Sequence, residues 1–198
     1  MGVYPVIAAE FDQVSAVFYN PNIAPKDEYC RRRDTCAEYA ADQNIAFFEI
    51  CVLDSKQADN QRMIQDSDDR ALSSGDSVFC KGKDESRCDA CYQQRLERVA
   101  LWAVEHGCDA FATTLSISPW QNLDAINQAG QTVQKMYCSL HFVARDFRSY
   151  YREAQKMARN LGIYCQNYCG CLPSKTEADE QRAARRSMRN YEQANTTH

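Results

Sequence analysis

Short apolar runs of strand length alternate along this chain with longer stretches whose apolar residues recur every three or four positions. Residues 14–19 are β-branched and aromatic, and Asn20-Pro21-Asn22 stops them, which predicts a strand followed by a loop. Helical composition follows over 26–42, and 45–51 reads as a second, mostly buried strand. A helix over 57–72 and a polar, glycine-containing loop over 73–86 come next. The clearest helix spans 89–105, where Leu96, Val99, Ala100 and Ala103 share one face and Gly107 supplies a stop. Strands over 108–113 and 139–144 bracket a helix over 122–136, and a last helix over 151–160 leads into a cysteine-rich turn. Strands separated by helices make βαβ units, so the expected fold class is α/β, a mainly parallel sheet flanked by helices. Beyond Pro173 the chain is charged and poor in bulky apolar residues, and reads as a solvated or frayed helical tail over 175–198.

Composition narrows this picture. At 198 residues and 44% hydrophobic content the chain can bury a core without disulfide staples. No run of 18 apolar residues is present, and the N-terminus lacks a basic segment followed by a long apolar one. A soluble, cytoplasmic protein without a membrane partner is therefore expected. The formal net charge of −4 argues against whole-surface attraction to nucleic acid but leaves room for local patches, at Arg31, Arg32 and Arg33 and at Arg182, Arg185 and Arg186.

Eleven cysteines, an odd number at irregular spacing, point to metal ligands, reactive thiols or buried fillers rather than structural bridges. Two pairs stand out. Cys88-Asp89-Ala90-Cys91 opens the clearest helix, and this spacing is expected to put both sulfurs on its first turn, where free N–H groups and the dipole favour thiolate. Thiolates there could bind zinc or an iron–sulfur cluster; two buried cysteines at chance spacing are the plainer alternative. In Cys169-Gly170-Cys171 a single intervening residue would make any disulfide a tight, strained ring, the kind associated with labile redox pairs. Half of a zinc site, or incidental thiols, are the alternatives. Ser73-Ser74-Gly75-Asp76-Ser77 is superficially like a phosphate loop but lies mid-chain rather than after the first strand, and is set aside. The remaining cysteines and the three scattered histidines show no metal-ligand spacing.

Five stretches recur together in one order: 18–23 (with Glu28, Tyr29 and Arg33), 88–92 (with Arg95 and Leu96), 113–121, 146–148 and 164–171. In that order and spacing the chain resembles the cobalamin-independent epoxyqueuosine reductases of the QueH type, over about residues 2–174. The resemblance implies a nucleotide α-hydrolase or PP-loop-like fold. It also implies the last step of queuosine synthesis, reduction of epoxyqueuosine in the anticodon loop of tRNA, with an unidentified electron donor. It further implies a [4Fe–4S] cluster held in part by Cys88 and Cys91, and a redox-active disulfide formed by Cys169 and Cys171. Substrate contacts are expected from Tyr19, Asn20, Asn22, Trp120, Asp146 and Arg148, with aromatic rings stacking on the base and arginines, Arg33 among them, meeting phosphate.

One part of the family pattern is missing. Its C-C-x-P-C motif and a strand would stand immediately before Gly2, whereas the chain begins at Met1 and no cysteine precedes Cys30. The expectation is a natural protein starting roughly 20–30 residues earlier, the length of a strand with its loop. The alternatives are a cluster-less relative that binds tRNA without catalysis, and a zinc-stabilised domain using all four paired thiols.

Overall fold

The computed structural model describes residues 2–50 and 85–195. The helix expected over 57–72, the Ser73–Ser77 stretch, Cys51 and Cys80 lie outside them. A short helix α1 (Tyr4–Ala8), with a proline in its first turn, precedes β1 (Ser15–Phe18). Then come α2 (Lys26–Asp42), β2 (Ala46–Glu49), α3 (Glu85–Glu105), β3 (Ala110–Phe111), α4 (Leu123–Met136) and β4 (His141–Phe142). Two helices, α5 (Tyr151–Asn160) and α6 (Leu172–Asn195), close the chain. None of the described helices is long and apolar enough to cross a membrane.

The α/β class and the parallel pairing hold, on a smaller scale than one continuous sheet. β1 pairs with β2 from Ser15 opposite Ala46 to Phe18 opposite Glu49, with α2 as the crossover. β3 pairs with β4, Ala110 opposite His141 and Phe111 opposite Phe142, with α4 between them. Among the described residues these are two separate two-stranded sheets. The strands are shorter than their apolar runs because side chains and turns take over the backbone at their ends. After β3, Thr113 caps the 3₁₀ turn Thr114–Ile117 by accepting from the Leu115 N–H. At β4, Gln134 of α4 accepts from the Phe142 N–H at 2.7 Å. The C-terminal stretch is a regular helix of 24 residues rather than a frayed one.

The main core lies where α3 crosses α4 over the second strand pair. Leu96, Ala100 and Ala103, spaced four and three apart, meet Ile126, Ala129 and Val133, with Phe111, Leu140 and Phe142 filling the sheet side. A second cluster under the first strand pair joins Tyr39, Ala40 and Ile45. Gly130 sits where α4 presses on β4, and a Cβ there would lie 2.2 Å from the Phe142 ring. Replacing a helical glycine by alanine normally helps a helix by about 1 kcal/mol. Here overpacking wins: Gly130→Ala is expected to cost about 1–3 kcal/mol, measured by urea denaturation, and a more stable variant would contradict the packing described.

Candidate functional site

Four segments far apart in sequence line one pocket of about 490 Å³, counting the space open to solvent. The loop after β1 supplies Asn20, Asn22 and Ile23; α3 supplies Arg87, Cys88, Cys91, Tyr92 and Arg95; Gln121 and the Cys169-Gly170-Cys171 turn complete it. The two cysteine pairs picked out by spacing thus face one space. Asn22, buried, donates from Nδ2 to the Cys91 sulfur at 3.4 Å. Arg95 donates to Asn20, and Tyr92 donates to Gln121 at 2.7 Å, its phenol pushed up to about 12 by burial.

The expectation for the first pair needs correcting. α3 starts at Glu85, so Cys88 ends its first turn and Cys91 lies in its second, beyond most of the free N–H groups. Burial pushes the Cys88 thiol up, with Arg87 opposing. The thiol at a helix start is Cys171, which immediately precedes α6. Its carbonyl accepts from the Lys175 N–H at 3.0 Å and from the Ser174 hydroxyl at 2.9 Å. A hydrogen bond from Cys169 lowers the Cys171 thiol to about 5 against burial, with help from Ser174 and Arg87. Cys169 is held as the protonated partner, well above the usual thiol range, mainly by donating that hydrogen bond.

The turn is held from behind. Arg32 of α2, with its side chain 7% exposed, donates to Glu28 at 2.7 Å and to the carbonyls of Cys169 at 2.7 Å and Tyr168 at 3.1 Å. Its guanidinium lies over the Tyr168 ring, and Tyr164 donates to both Glu28 oxygens at 2.9 Å. Gly170 adopts φ +138°, and a Cβ there would stand 2.8 Å from Ile23, so only glycine lets the turn sit this close. Ala24 N–H donates to the Gly170 carbonyl, tying the turn to the loop after β1.

The other expected residues separate. Tyr19 is 4% exposed, in the core rather than on the pocket wall. Trp120 is 76% exposed and makes an edge contact with Tyr151, beside the pocket residue Gln121. Asp146 and Arg148 pair with each other on the surface, and the arginine holds the carboxyl down at about 2. Arg33 pairs with Asp34 and Glu49. The basic run at 31–33 is therefore not one patch, since Arg32 is buried and Arg31 lies over Tyr164. Arg32, Glu28, Arg87, Tyr92, Arg95, Gln121 and Ser174 carry site geometry but were assigned no role from sequence. The four-residue spacing of Glu28 and Arg32 on a helix was the available signal.

With this geometry established, the family model described as "Epoxyqueuosine reductase QueH" matches residues 3–177. The chain belongs to the QueH family. It is similar to the epoxyqueuosine reductase QueH of Thermotoga maritima, 33% identical over 91% of this chain and 86% of that protein. The QueH proteins of Staphylococcus epidermidis and Streptococcus pyogenes are 30% and 32% identical over 82% of this chain. The matched part spans 66% and 61% of those two relatives' lengths.

The QueH resemblance assigns Cys88 and Cys91 as two ligands of a [4Fe–4S] cluster and places the remaining ligands outside this chain. Cys88 and Cys91, one turn apart on α3, offer two thiols, but among the described residues no three His, Cys, Asp or Glu side chains converge to hold a metal ion.

Two outcomes follow. Arg32→Met should cost about 3–5 kcal/mol, because Glu28 is left buried and uncompensated; Glu28→Gln with Arg32→Met should cost less, and equal costs would mean the pair is not coupled. Alkylation of Cys171 by iodoacetamide, mapped by mass spectrometry, should stay fast from neutral pH down to near pH 5. A lowered pKa means that thiolate persists below the ordinary range; a rate still rising toward ~8.5, the usual free-cysteine value, would rule it out.

Proposed function

We propose that this chain reduces the epoxide of epoxyqueuosine in tRNA to the alkene of queuosine, with Cys169 and Cys171 as the two-electron donor. Membership of the QueH family supports the reaction, and the convergence of both cysteine pairs on one pocket carries the site assignment. In the same reading residues 1–174 form the reductase-like domain, of nucleotide α-hydrolase or PP-loop type, with 175–198 as its charged appendage. The parallel strand pairs flanked by helices support that fold. The protein would work in the cytoplasm, drawing on a separate electron donor to regenerate the dithiol.

The step balances on this chain's own residues. The Cys171 thiolate attacks an epoxide carbon, forming a C–S bond and breaking one C–O bond; the alkoxide takes up a proton. The Cys169 sulfur, losing its proton, then attacks Cys171, forming the S–S bond. The C–S electron pair becomes the alkene bond, the second C–O bond breaks, and oxygen leaves as water with two protons. One dithiol is oxidised and one epoxide reduced. Arg87 at the pocket favours the anionic Cys171 sulfur, and Asn20 and Asn22 supply polar contacts for the substrate. The flanking Trp120 offers a ring for stacking an unpaired base, and Arg148 a guanidinium near phosphate.

Cys88 and Cys91 belong to this reading as two ligands of a [4Fe–4S] cluster, whose contribution when bound would be electron delivery. The zinc alternative requires four thiolates around one ion, and among the described residues no three His, Cys, Asp or Glu side chains converge in that way.

Cys169→Ser should trap the first stage as a covalent protein–RNA thioether, seen by mass spectrometry with epoxyqueuosine-containing RNA, while Cys171→Ser should give neither adduct nor product. Turnover by either variant would remove the pair from the reaction.

A further inference from the structure

The Cys169-Gly170-Cys171 turn that forms a wall of the pocket leads directly into α6, and from Asp179 to Tyr191 every residue of that helix but Arg182 is exposed. Arg182, Arg185, Arg186 and Arg189 stand at spacings of three, one and three. At about 100° per residue they fall within an arc of roughly 100°, one stripe along one face of the helix. Arg182 is shared with Asp179 at 2.6 Å, whereas Arg185, Arg186 and Arg189 make no ion pair among the described residues. Of the helix's four acids, Glu177, Asp179 and Glu180 occupy the half nearer the pocket and Glu192 follows the stripe. On a chain of net charge −4, this is a local concentration of positive charge.

We infer that this arginine stripe is a docking surface for the phosphate backbone of the substrate RNA, on the duplex stem adjoining the reacting loop nucleotide. The inference rests on the reading of the pocket as acting on a nucleotide of tRNA. Charge complementarity selects the occupant: planar guanidinium groups one helical turn apart suit successive phosphate oxygens. A membrane fits poorly, since the opposite face carries only Met188 and Tyr191 as large apolar groups along this half of the helix. Distance agrees as well. At a rise of about 1.5 Å per residue the stripe lies roughly 16–27 Å along the helix from Cys171. At roughly 3 Å per duplex step, that corresponds to about five to nine steps from the loop nucleotide. The stripe lies beyond residue 177, where the family match ends.

The test measures binding of a full-length tRNA transcript to the full chain by fluorescence anisotropy over a range of salt. The proteins compared are the wild type, R185Q/R186Q/R189Q and R185K/R186K/R189K, with helix content followed by circular dichroism. The glutamine variant should bind about tenfold more weakly at low salt, and the slope of log affinity against log salt should shrink by about 2–3, one counterion set per lost phosphate contact. The lysine variant should keep most of the slope. Alkylation of Cys171 should be unchanged in all three, showing the pocket intact. Wild-type affinity and slope in the glutamine variant would overturn the stripe alone. Failure of the wild type to bind RNA at all would overturn the pocket reading with it.

Discussion

The pocket depends on a buried ion pair, Glu28 with Arg32. Burying two charges costs several kcal/mol per ion unless every polar atom finds a partner. Here the partners come from the far end of the chain: two carbonyls of the cysteine turn accept from Arg32, and the Tyr164 hydroxyl donates to Glu28. The carbonyls that satisfy the guanidinium are those of residues that must be held in place. α2 and the 164–171 segment, 137 residues apart at the Arg32–Cys169 contact, are fixed by one set of hydrogen bonds. The fourth wall of the pocket stands only while that set is complete.

Charge within the pocket is divided between two helices with different jobs. α3 brings thiols whose neighbourhood is crowded and, at Cys88, unfavourable to ionisation. α6 brings Cys171 at its start, with Cys169 as a hydrogen-bond donor beside it. A C-x-C sequence suits this division because its two sulfurs can share one proton without a change in the surrounding chain.

Local features of the fold were legible in the sequence where periodicity was strong. The face of α3 with Leu96, Ala100 and Ala103, the stop at Gly107 and the parallel crossovers all follow from patterns within a few residues. Strand lengths were not, since Gln134 takes a backbone partner of β4 from the neighbouring α4 and Thr113 turns the chain just past β3. At the site, the cysteine pairs and Asn20 and Asn22 announce themselves by motif. Arg32 does so only through its four-residue spacing from Glu28: in sequence it is one of three adjacent arginines, and the crossing of α2 with a distant turn is what buries it apart from Arg31 and Arg33. The same limit applies to Tyr19 and Trp120, two aromatic residues alike in composition, one placed in the core and the other in solvent.

The long separations that assemble the pocket have a bearing on how the protein matures. Asn22 meets Cys91 across 69 residues, and Arg32 meets Cys169 across 137, so these contacts carry a heavy loop-closure cost and belong to a slow-forming class. Until they form, the Cys169-Gly170-Cys171 turn is not held beside Cys88 and Cys91, and eleven thiols compete for the same oxidants. The meeting of the two cysteine pairs in one pocket is therefore a product of tertiary structure, and oxidation that outruns folding would form pairings the finished pocket never permits.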